Sequence, residues 1–228
     1  RFWLPFAAFA LGEALLLASS ARPAAAQSSS GHVVVIELTR AIDRVTARFI
    51  AKHIHRAEEE GAGLVIIRLD TPGGTLESTR AIVREVFASS VPVAVYVAPA
   101  GAQAASAGTF IAAAAAVVAM APATNIGAAS VVGMQGEDLP ETLRKKANED
   151  AAAFIRSIAE RRGRPVEPLD ATVRNAVAYS ADEAVKNGLA DLIATDTGDL
   201  LRKLDGRIVQ VSSGEVTLRL TDVELRLA

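Results

Sequence analysis

Three short runs rich in β-branched residues, at positions 32–38, 64–69 and 92–97, constrain the fold of this chain most strongly. Segments with helical periodicity separate the runs. The first helical segment repeats apolar residues at the spacing expected of a face packed on a sheet, and these are Val45, Phe49, Ile50 and Ile54. Strands that alternate with helices form right-handed βαβ crossovers. The sequence therefore predicts an α/β fold with a mostly parallel sheet and flanking helices.

The composition favours a globular domain over a nucleic-acid-binding protein. Half of the 228 residues are hydrophobic, the formal net charge is −2, and no long Lys/Arg run marks a phosphate-binding surface. The absence of cysteine excludes disulfides, a thiolate nucleophile and zinc–thiolate sites. His53 and His55 have the wrong spacing to bind a metal from one face of a helix. We therefore expect no metal, no cofactor and no nucleic-acid partner.

The start of the chain predicts export. Residues 1–26 combine an apolar stretch with a run of small residues ending at Ala26, which is typical of a signal peptide cleaved there or of an N-terminal anchor. Residues 27–31 are rich in serine and predict a linker. We expect a periplasmic or extracytoplasmic protein, associated with the membrane if the N-terminal segment is retained or a C-terminal membrane region is missing from this chain.

Ser106 is the candidate nucleophile. It stands among alanines and glycines, at a predicted turn between a strand and a helix, where a substrate backbone can approach closely. A second glycine signal precedes it, and the backbone N–H groups of Gly73 or Gly74, together with that of Ala107, are candidates for an oxyanion hole. The sequence therefore predicts a serine nucleophile beside two or more oxyanion donors.

A serine nucleophile needs a base within hydrogen-bonding reach. None of the three histidines follows Ser106, and His53 and His55 belong to a helix whose inner face is aliphatic, so a Ser-His-Asp triad is disfavoured. Lysine is the remaining candidate, and Lys145 and Lys146 lie near the start of a long predicted helix. A lysine base requires a pKa lowered from 10.4 to about 7–8, which an apolar pocket favours. The residues alone leave Lys145 and Lys146 both open.

Four segments of the chain resemble a known family in collinear order. They are Asp70-Thr71-Pro72-Gly73-Gly74, Ala105-Ser106-Ala107-Gly108, Met120-Ala121-Pro122 and 146–162. Together they look like the N-terminal ClpP-class serine protease domain of NfeD-type membrane proteins, and more distantly like signal peptide peptidase A and the Clp protease subunit. The resemblance implies a ClpP/crotonase fold and a protease domain over 32–205. The pattern of the last residues, two short strands around a Ser-Ser-Gly-Glu turn, predicts a C-terminal β-hairpin extension over 206–228.

The resemblance also implies a mechanism and a substrate class. Ser106 would attack the scissile carbonyl, a lysine would transfer the proton, and the amides of Gly73, Gly74 and Ala107 would hold the oxyanion. The family register points to Lys146 as the base, whereas helical periodicity places Lys145 nearer to the apolar stripe. The implied substrates are hydrophobic segments of membrane-associated proteins such as stomatin-like proteins, and the implied assembly is a homo-oligomer of two or more copies.

Two other classes of function fit the same sequence features. A crotonase-type acyl-CoA enzyme would use the glycine-loop amides on a thioester enolate, but an exported domain would rarely meet coenzyme A. A catalytically weak binding or scaffold module would retain the fold and hold membrane partners without cleaving them. Peptide cleavage that is lost in Ser106→Ala with binding retained distinguishes the protease from the scaffold.

Overall fold

The computed structural model describes residues 27–29, 31–132 and 140–228. Its centre is a six-stranded sheet in which every neighbouring pair of strands is parallel, which confirms the predicted α/β class. The strands of this sheet, in chain order, are β2 (Val33–Leu38), β3 (Leu64–Leu69), β4 (Val93–Val97), β6 (Val117–Met120), β9 (Leu192–Ile193) and β12 (Leu225–Leu227). Their spatial order is β12-β2-β3-β4-β6-β9. The predicted signal peptide or anchor at 1–26 lies outside the described residues.

Seven helices in the described part of the chain flank this sheet. They are α1 (Arg44–Glu59), α2 (Leu76–Ala88), α3 (Ala107–Ala114), α4 (Glu141–Arg162), α5 (Val166–Arg174), α6 (Ala181–Lys186) and α7 (Thr197–Leu204). Helices α1 to α4 bury apolar residues in one core, and α7 buries Leu200 and Leu204 in a second core on the opposite face of the sheet. The sheet is therefore covered on both faces, which explains why its strands are continuous apolar runs.

Two smaller sheets complete the fold. One joins β5 (Gln103–Ala105), β7 (Asn125–Gly127) and β8 (Ala178–Ser180), and the other joins β1 (Gln27–Ser29), β10 (Ile208–Val211) and β11 (Gly214–Leu218). Strands β10 and β11 form the antiparallel hairpin expected within 206–228, but β12 beyond it pairs with β2 in the main sheet. Gln27–Ser29, inside the predicted linker, pairs with β11.

The predicted inner face of α1 is wrong in part. Ile50 and Ile54 are fully buried, whereas Val45 is 70% exposed and Phe49 is 39% exposed. Thr46, Ala47 and Ala57 complete the buried stripe instead. Small and polar residues can lie closer to the sheet than larger apolar ones. The apolar residues of α1 are therefore divided, with Ile50 and Ile54 against the sheet and Val45 and Phe49 exposed.

The carboxyl end of α3 is held by two arginines, Arg162 at the end of α4 and Arg164 just after it. Arg162 Nε donates to Ala114 O at 2.6 Å, and Arg164 Nη2 donates at 2.9 Å to Asp191 Oδ2, which also accepts from Val118 N at 2.6 Å. The side chain of Arg164 is only 7% exposed. Burial lowers the pKa of Arg162 to about 10, with smaller contributions from Arg164 and Arg161. These contacts place positive charge at the negative end of the α3 dipole.

We expect Arg164→Ala to lower the free energy of unfolding by about 2 kcal/mol, because it removes a buried guanidinium and its charged hydrogen bond to the partly exposed Asp191 carboxylate. Urea unfolding followed by circular dichroism measures the change. Arg202→Ala is the control, since Arg202 is 73% exposed and its ion pair with Asp199 is on the surface. Equal stabilities for the two variants would contradict the structural role of Arg164.

Candidate active site

Ser106 lies at the turn between β5 and α3 and is the residue immediately before the helix begins. Its backbone has φ 51° and ψ −114°, a conformation that is uncommon for a residue other than glycine. Every residue of α3 is buried, whereas Ser106 itself is half-buried. The turn therefore presents the serine at the edge of the core, at the positive end of a helix.

Hydrogen bonds to neighbouring elements hold this strained turn in place. Ser106 N donates to Gly127 O at 3.0 Å, and Ser106 O accepts from Thr109 N at 3.0 Å. Thr109 is fully buried, and its hydroxyl donates to Ala104 O at 2.9 Å. Backbone strain persists only where the surrounding structure enforces it, and it clusters at functional sites.

The glycine turn after β3 is fastened to the strand that leads to Ser106. Thr71 is fully buried, its N–H donates to Gln103 O at 2.8 Å, and its carbonyl accepts from Ala105 N at 3.1 Å. Asp70 Oδ1 accepts from Gln103 N at 3.1 Å. Sequence reasoning gave Asp70 and Thr71 no role beyond their place in the motif. The signal that could have identified them was their position at the carboxyl end of a predicted parallel strand, where the loops of neighbouring strands meet.

Gly73 is in direct contact with Ser106. A Cβ atom added to Gly73 would lie 2.6 Å from Ser106 Cβ and 3.0 Å from Ser106 Oγ, and the φ of Gly73 is +126°. Both the close approach and the backbone conformation require glycine at this position. The structure thus brings together two of the predicted site residues that are 33 positions apart in the chain.

The predicted oxyanion donors lie on either side of this contact. Within the described part of the chain, the N–H groups of Gly74 and Ala107 have no hydrogen-bond acceptor. The N–H of Gly73 lies 3.2 Å from Thr71 Oγ1, which is long for a hydrogen bond. Ile42 pairs with the atoms that flank Gly74, namely Gly73 O and Thr75 N, so it leaves the Gly74 N–H unused.

Lys145 and Lys146 both lie within the first two turns of α4, and both are exposed. Helices α3 and α4 run in the same direction, because Phe110 stacks on Phe154 and Ala114 O accepts from Arg162 Nε. Lys146 lies eight residues before Phe154 on α4, whereas Ser106 lies only four residues before Phe110, so the backbone of the lysine lies beyond the level of the serine turn. The helix is continuous through both lysines, so Lys146 lies nearly opposite the buried stripe and Lys145 lies closer to it.

A cluster that the sequence did not predict connects α4 to the helix that follows Ser106. The rings of Phe110 and Phe154 stack with centroids 5.5 Å apart, and the Arg80 guanidinium lies 4.1 Å from the centre of the Phe154 ring. Arg80 also pairs with Asp150 at 2.9 Å. Farther along, Asn148 Oδ1 accepts from Val131 N at 2.8 Å. These contacts fix the α4 segment just after the two lysines relative to the serine turn.

The loop predicted over 122–136 is better anchored than its composition suggests. Its residues 125–127 form β7, and the next two residues donate backbone hydrogen bonds, Ala128 N to Val177 O and Ala129 N to Thr172 O. Residues 133–139 lie outside the described ranges. Across 27–29, 31–132 and 140–228, no group of three or more His, Asp or Glu side chains could hold a metal ion.

The fold and this site define a protein of the ClpP-like class. ClpP1 from Listeria monocytogenes superposes with a TM-score of 0.58 at 20% identity, covering 73% of this chain and 94% of that one. Residues 32–213 match the N-terminal domain of NfeD1b, and the chain belongs to that family. The family resemblance expected from the sequence is thereby confirmed.

Solved structures and curated relatives extend the comparison. The stomatin-specific membrane protease 1510-N of Pyrococcus horikoshii, in a serine-to-alanine variant, superposes with a TM-score of 0.80 at 33% identity, covering 87% of this chain and 97% of that one. The membrane-bound protease PH1510 of the same organism is 34% identical over 197 residues, which are 85% of this chain and 45% of that protein. The membrane protein NfeD1b of Bacillus subtilis is 28% identical over 196 residues, or 82% of this chain and 44% of that protein.

The chain thus spans about half the length of the curated relatives it matches. Those relatives are membrane proteins, and one of them is a protease. Of the helices that the structure describes here, none combines the length and the hydrophobicity needed to cross a bilayer.

Proposed function

We propose that this chain is a serine endopeptidase domain that uses a Ser-Lys dyad. The observation that carries the proposal is the contact of Gly73 with a strained, half-buried Ser106 at the start of α3. The catalytic domain comprises residues 32–205, and 206–228 is an extension whose last strand, β12, completes one edge of the main sheet. Relatives that are named proteases support this assignment.

In the proposed acylation step, Ser106 Oγ attacks the carbonyl carbon of the scissile peptide while its proton passes to a neutral lysine Nζ. The electron pair of the carbonyl moves to its oxygen, and the resulting oxyanion accepts hydrogen bonds from the Gly73, Gly74 and Ala107 amides. Each such donor contributes about 3 kcal/mol in the transition state. Collapse of the intermediate expels the amine, which takes the proton from the lysine.

Water completes the proposed reaction. The neutral lysine accepts a proton from water, and the hydroxide equivalent attacks the acyl carbon of the Ser106 ester. The same amides hold the second oxyanion. When the ester bond breaks, the lysine returns the proton to Ser106 Oγ and the carboxylic product leaves. The positive end of α3 favours both oxyanions.

We assign the base to Lys146, following the family register, and we propose that a second copy of the chain completes the site. Lys146 is exposed on a part of α4 that lies opposite the buried stripe, so packing against another copy would remove this amine from water. Removal from water favours the neutral form that a lysine base requires. A homo-oligomer therefore accounts for both the exposure of Lys146 and its proposed role.

The proposed substrates are hydrophobic segments of membrane-associated proteins, including stomatin-like proteins. The solved relative 1510-N is named as specific for a stomatin homologue. In this chain, exposed apolar side chains lie on the two segments joined by the Asn148–Val131 bond: Val132 is 58% exposed and Leu143 is 54% exposed. We propose that the domain acts outside the cytoplasm, following the predicted export signal at 1–26.

We expect Lys146→Ala to lower the rate of cleavage of hydrophobic peptides by at least about 100-fold, because a positioned general base contributes 10²–10⁴. Lys145→Ala is the matched control, since it removes the same charge one residue away and both side chains are exposed. Peptide cleavage followed by mass spectrometry measures the rates. Loss in Lys145→Ala instead would reassign the base, and full activity in both variants would contradict the dyad.

A catalytically weak binding module is the second candidate. It is favoured by the exposure of both lysines, which leaves no base in contact with Ser106 Oγ in the described part of the chain. Measuring both binding and cleavage of the same peptides distinguishes the two functions. A protease cleaves the peptides it binds, whereas a module of this kind binds them and releases them intact at every protein concentration.

A further inference from the structure

The outer side of α1 carries two exposed stripes that run side by side along the helix. Each repeats every fourth residue, the spacing that aligns side chains on a helical face. The basic stripe is Arg44, Arg48 and Lys52, which are all exposed. The stripe beside it, called the apolar stripe below, consists of the exposed Val45 and Phe49 and the half-buried ring of His53. Phe49 and His53 are stacked with ring centroids 4.4 Å apart. The basic stripe lies opposite the buried residues of α1, whereas Val45 and Phe49 lie at the side of the helix, at the margin of its apolar arc.

The charge of this segment differs from that of the whole chain. Residues 40–57 contain five Arg or Lys and one acidic residue, in a chain whose net charge is −2, and the acidic run 58–60 follows directly at the end of α1. The acidic residue, Asp43, is occupied as the helix cap, where it accepts from Thr46 N at 2.7 Å. Burial lowers the pKa of His53, with smaller contributions from the positive charges of Lys52 and Arg56.

Acidic groups from neighbouring elements face mainly the ends of α1. Glu77 on α2 lies 3.7 Å from Arg44, and Glu85 on α2 pairs with His55 at 2.9 Å. Glu60, just beyond the helix, pairs with Arg56 at 2.6 Å. None of these ion pairs involves Arg48 or Lys52, which are exposed in the middle of the basic stripe.

The apolar stripe continues onto the edge strand of the main sheet. Leu227 on β12 is 78% exposed and lines, with His53, a small cavity of about 110 Å³. His53 and Leu227 therefore border one cavity, which Arg56, Glu60 and Arg226 also line and which lies between α1 and the outer edge of the sheet. We call the surface consisting of Val45, Phe49, His53 and Leu227, with the basic stripe beside them, the α1–β12 face.

We propose that the α1–β12 face binds the surface of an anionic lipid bilayer. Val45 and Phe49 enter the headgroup region, while Arg48 and Lys52 contact lipid phosphates. An exposed apolar stripe flanked by basic residues is the pattern of helices that lie in the membrane interface. A two-fold contact centred on the basic stripe would bring the two stripes together and oppose like charges, whereas a bilayer offers phosphates to this stripe and an apolar layer to Val45 and Phe49. Charge complementarity therefore selects the bilayer.

This orientation has a consequence for the site of the proposed protease. Ile42, two residues before α1 begins, forms an isolated parallel bridge with Gly74. The end of α1 that carries Val45 is thus adjacent to the glycine turn beside Ser106. A domain held by the α1–β12 face would present its candidate active site at the bilayer surface, where membrane-associated substrates emerge.

The first test uses an environment-sensitive fluorophore on a single introduced cysteine, which is unique because the chain has none. Val45→Cys is compared with Ile208→Cys, whose position is 65% exposed on the layer covering the opposite face of the sheet. We expect a blue shift at position 45, and none at 208, with vesicles containing phosphatidylglycerol. Vesicles of phosphatidylcholine alone should give a much smaller shift.

The second test reverses charge on each side of the sheet. Arg48→Glu combined with Lys52→Glu should weaken binding to the phosphatidylglycerol vesicles by at least about 25-fold, since each basic residue contributes roughly a fivefold factor. Arg207→Glu combined with Arg219→Glu makes the same charge change on the hairpin layer and should have little effect. Residues 1–26 are identical in all variants, so any membrane affinity of that segment cancels.

Two outcomes would overturn the inference. A label at position 45 that stays in a polar environment with anionic vesicles would show that the face does not enter the bilayer. A shift that appears without vesicles as protein concentration rises would make this face a contact between copies. Cleavage of a water-soluble peptide should be unchanged in the Arg48→Glu, Lys52→Glu variant, so failure of membrane binding is distinguishable from failure of the proposed protease.

Discussion

Ser106→Ala is expected to reduce cleavage of hydrophobic peptides by at least about 1000-fold while the protein remains folded. Removing the nucleophile leaves only the catalysis that substrate binding and the oxyanion donors provide, and the loss in comparable serine hydrolases is of this order or larger. Cleavage rates measured by mass spectrometry give the activity, and thermal unfolding gives the stability. Peptide affinity should change little, because the alanine removes one oxygen atom from the edge of the site.

The expected stability of Ser106→Ala follows from the contacts of the serine. The side chain makes no capping hydrogen bond to α3, and the bonds that fix this residue come from its backbone N–H and carbonyl. Alanine at φ 51° carries the same backbone strain as serine. Ser157→Ala is the control, since Ser157 is exposed on α4 and donates only to Phe154 O. Undiminished cleavage by Ser106→Ala would refute the proposed mechanism.

Much of the fold could be predicted because the central strands are strongly patterned. The three β-branched runs coincide with β2, β3 and β4, whose residues are buried on both faces of a parallel sheet. Of the three-residue strands of the second sheet, only the one before Ser106 was expected from the sequence. β5, β7 and β8 depend on pairing between distant segments, and so short a run carries no periodicity of its own.

The apolar stripe of α1 shows a different limit of prediction from sequence patterns. Val45 and Phe49 share helical spacing with Ile50 and Ile54, and spacing alone gave them one common face. In the structure, that apolar arc is wider than the part of α1 that contacts the sheet, so the larger residues at its margin are exposed. An apolar arc wider than the packing surface indicates a second contact. Periodicity in the sequence cannot tell the residues of that contact from the residues of the core.

The candidate site, like the fold, could be predicted only in part from the sequence. Ser106 and Gly73 belong to turns that follow strands, and the carboxyl ends of parallel strands lie at one edge of a sheet, so their proximity could be inferred. The lysine could not be settled in this way. Family register and helical phase disagree between Lys145 and Lys146, and the structure leaves both exposed because a single chain does not cover this part of α4.

Gly73→Ala is expected to lower both activity and stability, because the added methyl group has to occupy space already filled by Ser106. The new Cβ would lie 2.6 Å from Ser106 Cβ, so either the serine turn or the glycine turn must move. A displacement of about 1 Å at a reacting group can reduce the rate about 100-fold. The φ of +126° adds backbone strain of about 1–3 kcal/mol for any residue with a side chain.

Gly101→Ala separates these two contributions. Gly101 also has a positive φ, +87°, and precedes the strand that leads to Ser106, but a Cβ there meets no atom within 4 Å. It should lose stability through backbone strain alone and retain nearly full cleavage activity. Urea unfolding should place Gly73→Ala below Gly101→Ala by about 2 kcal/mol, the typical penalty of overpacking. If Gly73→Ala instead cleaved peptides as fast as Gly101→Ala, the close contact between the glycine turn and Ser106 would have no part in positioning the nucleophile.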